Sequence, residues 1–483
     1  MKIKYFFYFL VVLSIPFLIF NNIEKVILPF NKILNLGENF KILERDLDEK
    51  FNTLEKERTK KIPSSSSGLN YYAQGGVVVD NVAYFTADHS NPNDNFDKSK
   101  YFPYVISFEA TPPFKKIRTY AFEDTYDSSP IVLKTKHNKT LVIAHEYKRK
   151  RTKAINAKTG NTEWVSDDNQ PGANFFGYSY FDTGDGKIIY GAFRNGIHAI
   201  SLVDGKEKWT IKRKSIGGAT PAVDQEKGFV YYQYNGGVIK INALDGSIVK
   251  EIKVEKPNNV ISWNTVLVKD KNLYRVATYW HEFKEYDSAI RVYDSNLNLK
   301  WEKLGLPSSK KGTLTYANGI LTTGVGNYWL ENYFGDKWKV IKAWSVLDGS
   351  LKWTADLKNY GFRSIMNIPY FNGYFYAETQ DTYGFKSKIF KINSENGNVE
   401  EVLEHGKSIN SCAPAVIANG YMFSGDLHSD KIIVTKLEDN VISNWKGPFG
   451  NPQTNTNSVK GLFIKSNKKM KAIHPKQIQN LMQ

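Results

Sequence analysis

The feature that most restricts this chain is a spacing. Lys153-Ala-Ile-Asn-Ala-Lys-Thr-Gly-Asn-Thr-Glu-Trp164 joins a short apolar strand pattern to a Thr-Gly turn, with a tryptophan four residues past the glycine. The same arrangement returns in His198-Ala-Ile-Ser-Leu-Val-Asp-Gly-Lys-Glu-Lys-Trp209 and in Lys342-Ala-Trp-Ser-Val-Leu-Asp-Gly-Ser-Leu-Lys-Trp353. A Thr-Gly or Asp-Gly pair supplies a positive-φ turn, so each copy reads as a β-hairpin whose last strand opens on a large aromatic. Recurrence at a period of roughly 40 to 50 residues is the mark of a propeller built from sequential blades.

Aligning on the turn position gives Gly160, Gly205, Gly246, Leu297, Gly349, Gly397 and Val441, seven successive units. An eighth, divergent unit without a recognisable tryptophan precedes them, containing Gly75-Gly-Val-Val-Val-Asp-Asn-Val-Ala-Tyr-Phe85 and Tyr104-Val-Ile-Ser-Phe108. Each unit holds four short strands, the first seen in Ala219-Thr-Pro-Ala-Val223 or Cys412-Ala-Pro-Ala-Val416. The expected fold is therefore all-β, an eight-bladed propeller over residues 69–464, with seven or nine blades as the neighbouring counts. A closed ring removes free sheet edges, and Ser458-Val-Lys-Gly-Leu-Phe-Ile464 is expected to join the first blade to the last. Residues 465–483 read as a polar tail.

Trp164, Trp209, Trp301, Trp353 and Trp445 stand at the repeated position, and the spacing predicts that each sits between adjacent blades against the next unit's backbone, with Gly160, Gly205 and Gly349 as the turn positions of the docking motif. Lys250 and Glu401 replace the tryptophan in two units, where looser junctions are expected.

The chain opens differently. Lys2 and Lys4 precede an apolar run from Tyr5 to Phe20, extended by Ile23 to Phe30, with no small-residue cleavage site after it. Residues 1–30 thus read as an uncleaved signal-anchor, placing the remainder outside the cytoplasm, in the periplasm of a Gram-negative cell. No cysteine follows the run, so a lipoprotein anchor is not expected. Within residues 31–68, Phe40, Leu43, Leu47, Phe51 and Leu54 predict an amphipathic helix across 35–61, a potential self-association element, and Pro63-Ser-Ser-Ser-Ser-Gly68 predicts a joint.

Chemistry-bearing residues are scattered. The single cysteine, Cys412, excludes an intramolecular disulfide. Glu146, Asp185, Glu282, Glu378 and Asp426 are the candidate acids, and His145, His281 and His428 follow expected strands, without metal-ligand spacing. The net charge of +16 is spread along the chain. Its one dense cluster, Lys148-Arg-Lys-Arg151, is too short to indicate nucleic acid. Loop Asn327-Tyr-Trp-Leu-Glu-Asn-Tyr-Phe-Gly-Asp-Lys-Trp338 is the richest in aromatics, and Tyr328, Trp329, Tyr333, Phe334 and Trp338 form a candidate interaction loop.

The pattern Ala-x-(Asn/Asp)-x-x-(Thr/Asp)-Gly-x-x-x-Trp, here Ala154 to Trp164, resembles the tryptophan-docking motif of pyrroloquinoline-quinone-like β-propellers. Two kinds of protein share it. Quinoprotein alcohol and sugar dehydrogenases hold a quinone in the central channel with a calcium ion bound by Glu, Asn and Asp and an Asp as general base; BamB-like proteins are binding scaffolds of the barrel-assembly machinery and catalyse nothing. The resemblance therefore implies either a membrane-anchored scaffold without cofactor that binds a protein or polysaccharide at its loop face, or a dehydrogenase using pyrroloquinoline quinone and calcium. The missing cysteine pair and the unclustered acids favour the scaffold.

Overall fold

The inner strands of the described blades have neighbours on both faces, and their side chains divide between them by the two-residue period of extended backbone. In the strand Phe229–Tyr234, Val230 and Tyr232 join the apolar core shared with the preceding sheet, while Tyr231 joins the core shared with the following one. This two-sided burial explains why the units read as nearly continuous apolar runs.

The computed structural model describes residues 59–61, 72–437 and 456–458, apart from the connections at 90–101, 124–128, 147–148, 168–177, 184–185, 194–195, 214–219, 255–260, 271–272, 282–287, 307–313, 325–338, 361–363, 366–367, 381–387, 405–414 and 426–431. The N-terminal run and most of the amphipathic stretch, Trp445, Cys412 and the polar tail lie outside the described residues. Where the helical reading ran to Lys61, Thr59–Lys61 is a strand. The last apolar residue of the helical pattern is Leu54, so nothing in 55–61 gives a helix a face to bury.

Eight antiparallel sheets follow one another in chain order. Blade 1 runs through Tyr72–Val79, Val82–His89, Phe102–Glu109 and Lys116–Ala121, and blade 2 through Ile131–Lys134, Thr140–Glu146, Arg151–Asn156 and Thr162–Val165. Blade 3 spans Ser179–Asp182 to Glu207–Lys212, blade 4 Ala222–Asp224 to Ile248–Lys253, blade 5 Ile261–Asp270 to Leu299–Leu306, and blade 6 Leu314–Ala317 to Leu351–Asp356. In blade 7 the first rung is divided between Ser364–Ile365 and Tyr370–Phe371, and in blade 8 three strands, Val416–Ala418, Tyr421–Gly425 and Ile432–Lys436, are described.

Eight apolar cores match the eight junctions, and each draws residues from two successive blades. Val142 and Ile155 of blade 2 share a core with Val105 and Tyr120 of blade 1. The decisive one joins the ends of the chain: Val416, Phe423 and Val434 of blade 8 pack with Val78, Phe85 and Phe108 of blade 1. The ring therefore closes by side-chain burial.

Of the late segment 458–464 expected to join the first blade to the last, all but Ser458 lies outside the described residues. Just before it, Thr456–Ser458 runs parallel to Leu267–Lys269 of blade 5. The opposite edge of that blade 5 strand already pairs with Leu273–His281, so the added strand lies on its inner edge. Ile261–Asp270 is a long inner strand whose free edge offers unpaired backbone groups, and the late strand satisfies them.

The junctions share a hydrogen bond as well as a core. One residue past the third strand of a blade, at the start of the turn, a carbonyl accepts from the preceding blade. Trp164 Nε1 donates to Leu202 O (2.8 Å), Trp301 Nε1 to Val346 O (3.0 Å) and Trp353 Nε1 to Ser394 O (2.8 Å). Elsewhere a phenol takes the same acceptor: Tyr120 to Ala157 O (3.0 Å) and Tyr190 to Ala243 O (2.6 Å). In the latter junction the displaced Trp209 Nε1 has no hydrogen-bond partner among the described residues.

Candidate functional site

In a four-stranded antiparallel blade the first and third turns emerge at one end, and the second turn and the crossing to the next blade at the other. The first end carries short turns such as Asp80-Asn81 and Gly349. The second carries the long segments, including 90–101, 325–338 and 405–414. One end of the ring is thus built for regularity and the other for variety, as expected where loops carry function on a rigid scaffold. The aromatic loop with Tyr328, Trp329, Tyr333, Phe334 and Trp338 belongs to the variable end by its connections and lies outside the described residues.

Side chains described near the variable end form ionic and aromatic clamps between strands. Glu146, fully buried at the end of Thr140–Glu146, accepts from Arg151 Nε (2.6 Å) and from the Glu123 backbone N–H (2.8 Å). Arg151 also donates to Glu123 Oε1 and Arg149 to Glu123 Oε2, both at 2.9 Å. Arg149 beside Glu123 holds its carboxyl below the usual range. At least these two arginines of the dense basic cluster are thereby committed to carboxylates of their own chain. Two junctions further, Arg213 grips Glu251 through Nε (3.1 Å) and Nη2 (2.9 Å) while the Tyr234 hydroxyl donates to the same carboxylate (2.6 Å). The Arg213 contact lowers the Glu251 pKa, a fork-to-fork pairing that fixes orientation as well as charge.

Between blades 2 and 3 lies a buried histidine pair. His145 is inside the strand Thr140–Glu146, where the sequence pattern had it follow the strand, because the apolar run Leu141 to Ala144 continues through it. His145 Nδ1 and both ring nitrogens of His198 have no hydrogen-bond partner among the described residues. Burial pushes His145 down to about 4 and His198 to about 3, the latter helped by His145. Gly191 is explained by this packing: a Cβ there would meet His198 Nε2 at 2.6 Å and Tyr178 Cε1 at 2.9 Å.

Of the other candidate acids, Glu378 is buried within Tyr374–Gln380, and Asp185, Glu282 and Asp426 lie outside the described residues. His281 ends a described strand, and its side chain, like all of His428, lies outside them. Among the described residues no three His, Cys, Asp or Glu side chains come together as a metal site. Glu146 and Glu378 sit in different blades and Glu146 is fully engaged, so the described acids do not fit the Glu, Asn and Asp set that a quinone-bound calcium requires.

The docking residues are placed by direct contact. Trp164, Trp209, Trp301 and Trp353 are buried, and their rings lie against Gly205, Gly246, Gly349 and Gly397 of the following blade. A Cβ on Gly349 would stand 2.8 Å from Trp301, and one on Gly246 2.6 Å from Trp209. Gly160 faces Arg118 of blade 1, which occupies the tryptophan position there: Ser107 pairs with Arg118 across the hairpin as Ala154 pairs with Trp164. Sequence reasoning missed Arg118 because only the indole was sought; its offset of four from Phe114, which has the turn's positive φ of 56°, was the available signal. At Lys250 the expected loose junction is filled instead. Leu297 stands at the glycine position with φ 57° and is buried beside Tyr231 and Val238, while Tyr231 OH and Lys240 Nζ both donate to Ser295 O. Glu401 lies in a described strand, and its side chain is outside the described residues.

No family model matches the chain, and no curated protein matches its sequence. Among solved structures it is similar to the crystal structure of BamB from Moraxella catarrhalis, with a TM-score of 0.52 at 13% identity over 80% of this chain and 99% of that one. At that identity the likeness concerns the fold. The chain shares the propeller fold, as the tryptophan motif implies.

Proposed function

We propose that this protein is a non-catalytic scaffold, a propeller anchored outside the cytoplasmic membrane by residues 1–30 that binds a protein partner through its variable end. One observation carries the reading most: two carboxylates described near that end, Glu146 and Glu251, are consumed in holding blades together. Glu146 serves Arg151 and a backbone amide, and Glu251 serves Arg213 and Tyr234, so these groups stiffen a platform instead of facing a substrate. The structural likeness to BamB supports the same reading. A polysaccharide partner is the second form of it, and no cofactor is required.

The test is site-specific photocrosslinking in the intact cell envelope, comparing position 149 at the variable end of blade 2 with position 158 in its short turn. Adducts to a protein other than the chain itself, at 149 and absent at 158, support the scaffold. Tight binding of pyrroloquinoline quinone with calcium, accompanied by dye-linked alcohol oxidation, would replace it with the dehydrogenase reading.

A further inference from the structure

Repeat proteins contain their own controls, because equivalent positions share a backbone and differ only in the side chain. The tip of the docking turn, two residues before the glycine, is Lys158 in blade 2 and Glu395 in blade 7, both exposed. The same tip is Val203 in blade 3, Leu244 in blade 4 and Leu347 in blade 6, with 73%, 56% and 61% of their surface in water. The turn therefore accepts a charge there, and its geometry does not call for the aliphatic side chains. Directly behind them Ile248, Leu299 and Leu351, equivalent residues opening the fourth strands of blades 4, 5 and 6, are exposed as well. At that position blades 1, 2 and 3 have Lys116, Thr162 and Glu207.

These residues form one stripe. Trp209 of blade 3 lies against Gly246, two residues from Leu244. Lys250 Nζ donates to Asn298 Oδ1 (2.9 Å), which joins Val249 and Leu299 across the next junction. Trp301 against Gly349 then brings Leu299 to the turn carrying Leu347. An apolar arc thus crosses four consecutive blades at the end of the ring opposite the long loops.

We propose that this arc is a self-association surface, covered by the same face of a second copy of the chain. Charge selects the occupant. Each apolar tip is followed by an exposed aspartate, Asp204, Asp245 or Asp348, so inserting the tips into a bilayer would carry a carboxylate with them. Exposed lysines, Lys206, Lys208 and Lys352, stand within four residues of two of those aspartates. A surface that interleaves both signs with aliphatic groups is complementary to its own two-fold image, in which the aspartates of one copy meet the lysines of the other. Pairing at this end leaves both variable ends free, so the dimer presents two partner-binding faces. The inference concerns the short-turn end and stands whether or not the variable end binds a protein.

The experiment is sedimentation of the full chain in detergent micelles, wild type against the double variant Leu244→Lys/Leu347→Lys, with Ile117→Lys as an exposed control in blade 1. The expected result is a dimer whose dissociation constant rises about tenfold or more in the double variant and is unchanged in the control, with equal thermal midpoints. A monomeric wild type overturns the proposal, and so does a double variant that stays dimeric, because association then lies elsewhere in the chain. Hydrogen exchange in proteoliposomes separates the remaining occupant. Protection of the 244–249 and 347–351 amides that disappears on dilution to one copy per vesicle supports a second copy, whereas protection that persists assigns the arc to lipid and overturns it.

Discussion

The junction between blades 5 and 6 and the junction between blades 4 and 5 fill the same space from opposite sides. In the first, the earlier blade provides the bulk, Trp301, and the later blade provides the gap, Gly349. In the second, the earlier blade has Lys250 at that place and the later blade provides the bulk, Leu297, from a turn shorter by one residue, whose N–H bonds to the carbonyl three residues back instead of four. Interiors are close-packed, so what a repeat conserves is the filled volume and not the residue that fills it. The carbonyl acceptor is kept in both, served by an indole in one and by a phenol and an ammonium in the other.

The largest effect should come from removing the bulk. Trp301→Ala is expected to cost about 3–5 kcal/mol in chemical denaturation. The sharper experiment is a double-mutant cycle at the other junction. Lys250→Trp alone overfills a space that Leu297 already occupies and should cost about 1–3 kcal/mol. Leu297→Gly alone empties it and should cost about 2–5 kcal/mol, offset in part by relief of its positive φ. Together they restore the Trp-on-Gly arrangement, and the two costs should couple favourably by about 0.5–3 kcal/mol. Strict additivity would show that the two positions do not share the space.

The junction between blades 2 and 3 differs from both in holding a buried histidine pair. His145 and His198 are neutral in the folded ring, with pKa values near 4 and 3, while in the unfolded chain they take up protons below about 6.5. Depressed folded values mean that the contribution is complete above pH 6.5 and is lost as pH falls through the window down to 4 and 3. Stability should therefore drop by up to about 1.4 kcal/mol per pH unit for each histidine below that point. Denaturation midpoints of wild type and His198→Leu between pH 7.5 and pH 4.5 check this, with the variant expected to have the shallower slope.

A glycine pair isolates the docking contact from backbone strain. Gly349 (φ 73°) faces Trp301, whereas Gly319 (φ 76°) has nothing near the place its Cβ would take. Both Ala variants carry the left-handed penalty of about 1–2 kcal/mol. Gly349→Ala must also displace an indole and should lose more, by an increment that vanishes in a Trp301→Ala background.

These contrasts mark what the sequence discloses. The tryptophan four residues past Gly205 or Gly349 is legible because that offset is constant from unit to unit, whereas the glycine each ring docks on belongs to the next unit. Blade number follows from it, since each unit has one such turn. Compensation is harder to read: Leu297 looks like a lost glycine, and only the packing beside Tyr231 shows that it replaces the tryptophan missing at Lys250. Arg118 is hidden for the same reason. The pairing of Thr456–Ser458 with blade 5 follows no local pattern, because a parallel strand added to an inner edge is chosen by backbone groups common to every residue. His145 and His198 are far apart in sequence and meet only because blades 2 and 3 are neighbours. Trp329 and Trp338 stand in the connection 325–338, which lies outside the described residues.

Two of the docking tryptophans supply the most discriminating comparison. Trp301 and Trp209 occupy the same place in their blades, but Val346 O accepts the Trp301 N–H at 3.0 Å, while Ala243 O is taken by Tyr190 and the Trp209 N–H has no partner among the described residues. Phenylalanine keeps most of the ring surface and deletes the donor. Trp301→Phe should then lose the hydrogen bond and strand a buried carbonyl, costing about 1–3 kcal/mol beyond the shared loss of ring volume. Trp209→Phe removes an unsatisfied buried donor and should cost less than Trp301→Phe by about that amount. Tyr190→Phe reverses the asymmetry, because it releases Ala243 O for the indole, so the penalty of Trp209→Phe should grow in that background. Equal costs for the two tryptophans, with no dependence on Tyr190, would mean that the carbonyl contributes nothing to the docking and that ring volume alone holds the blades together.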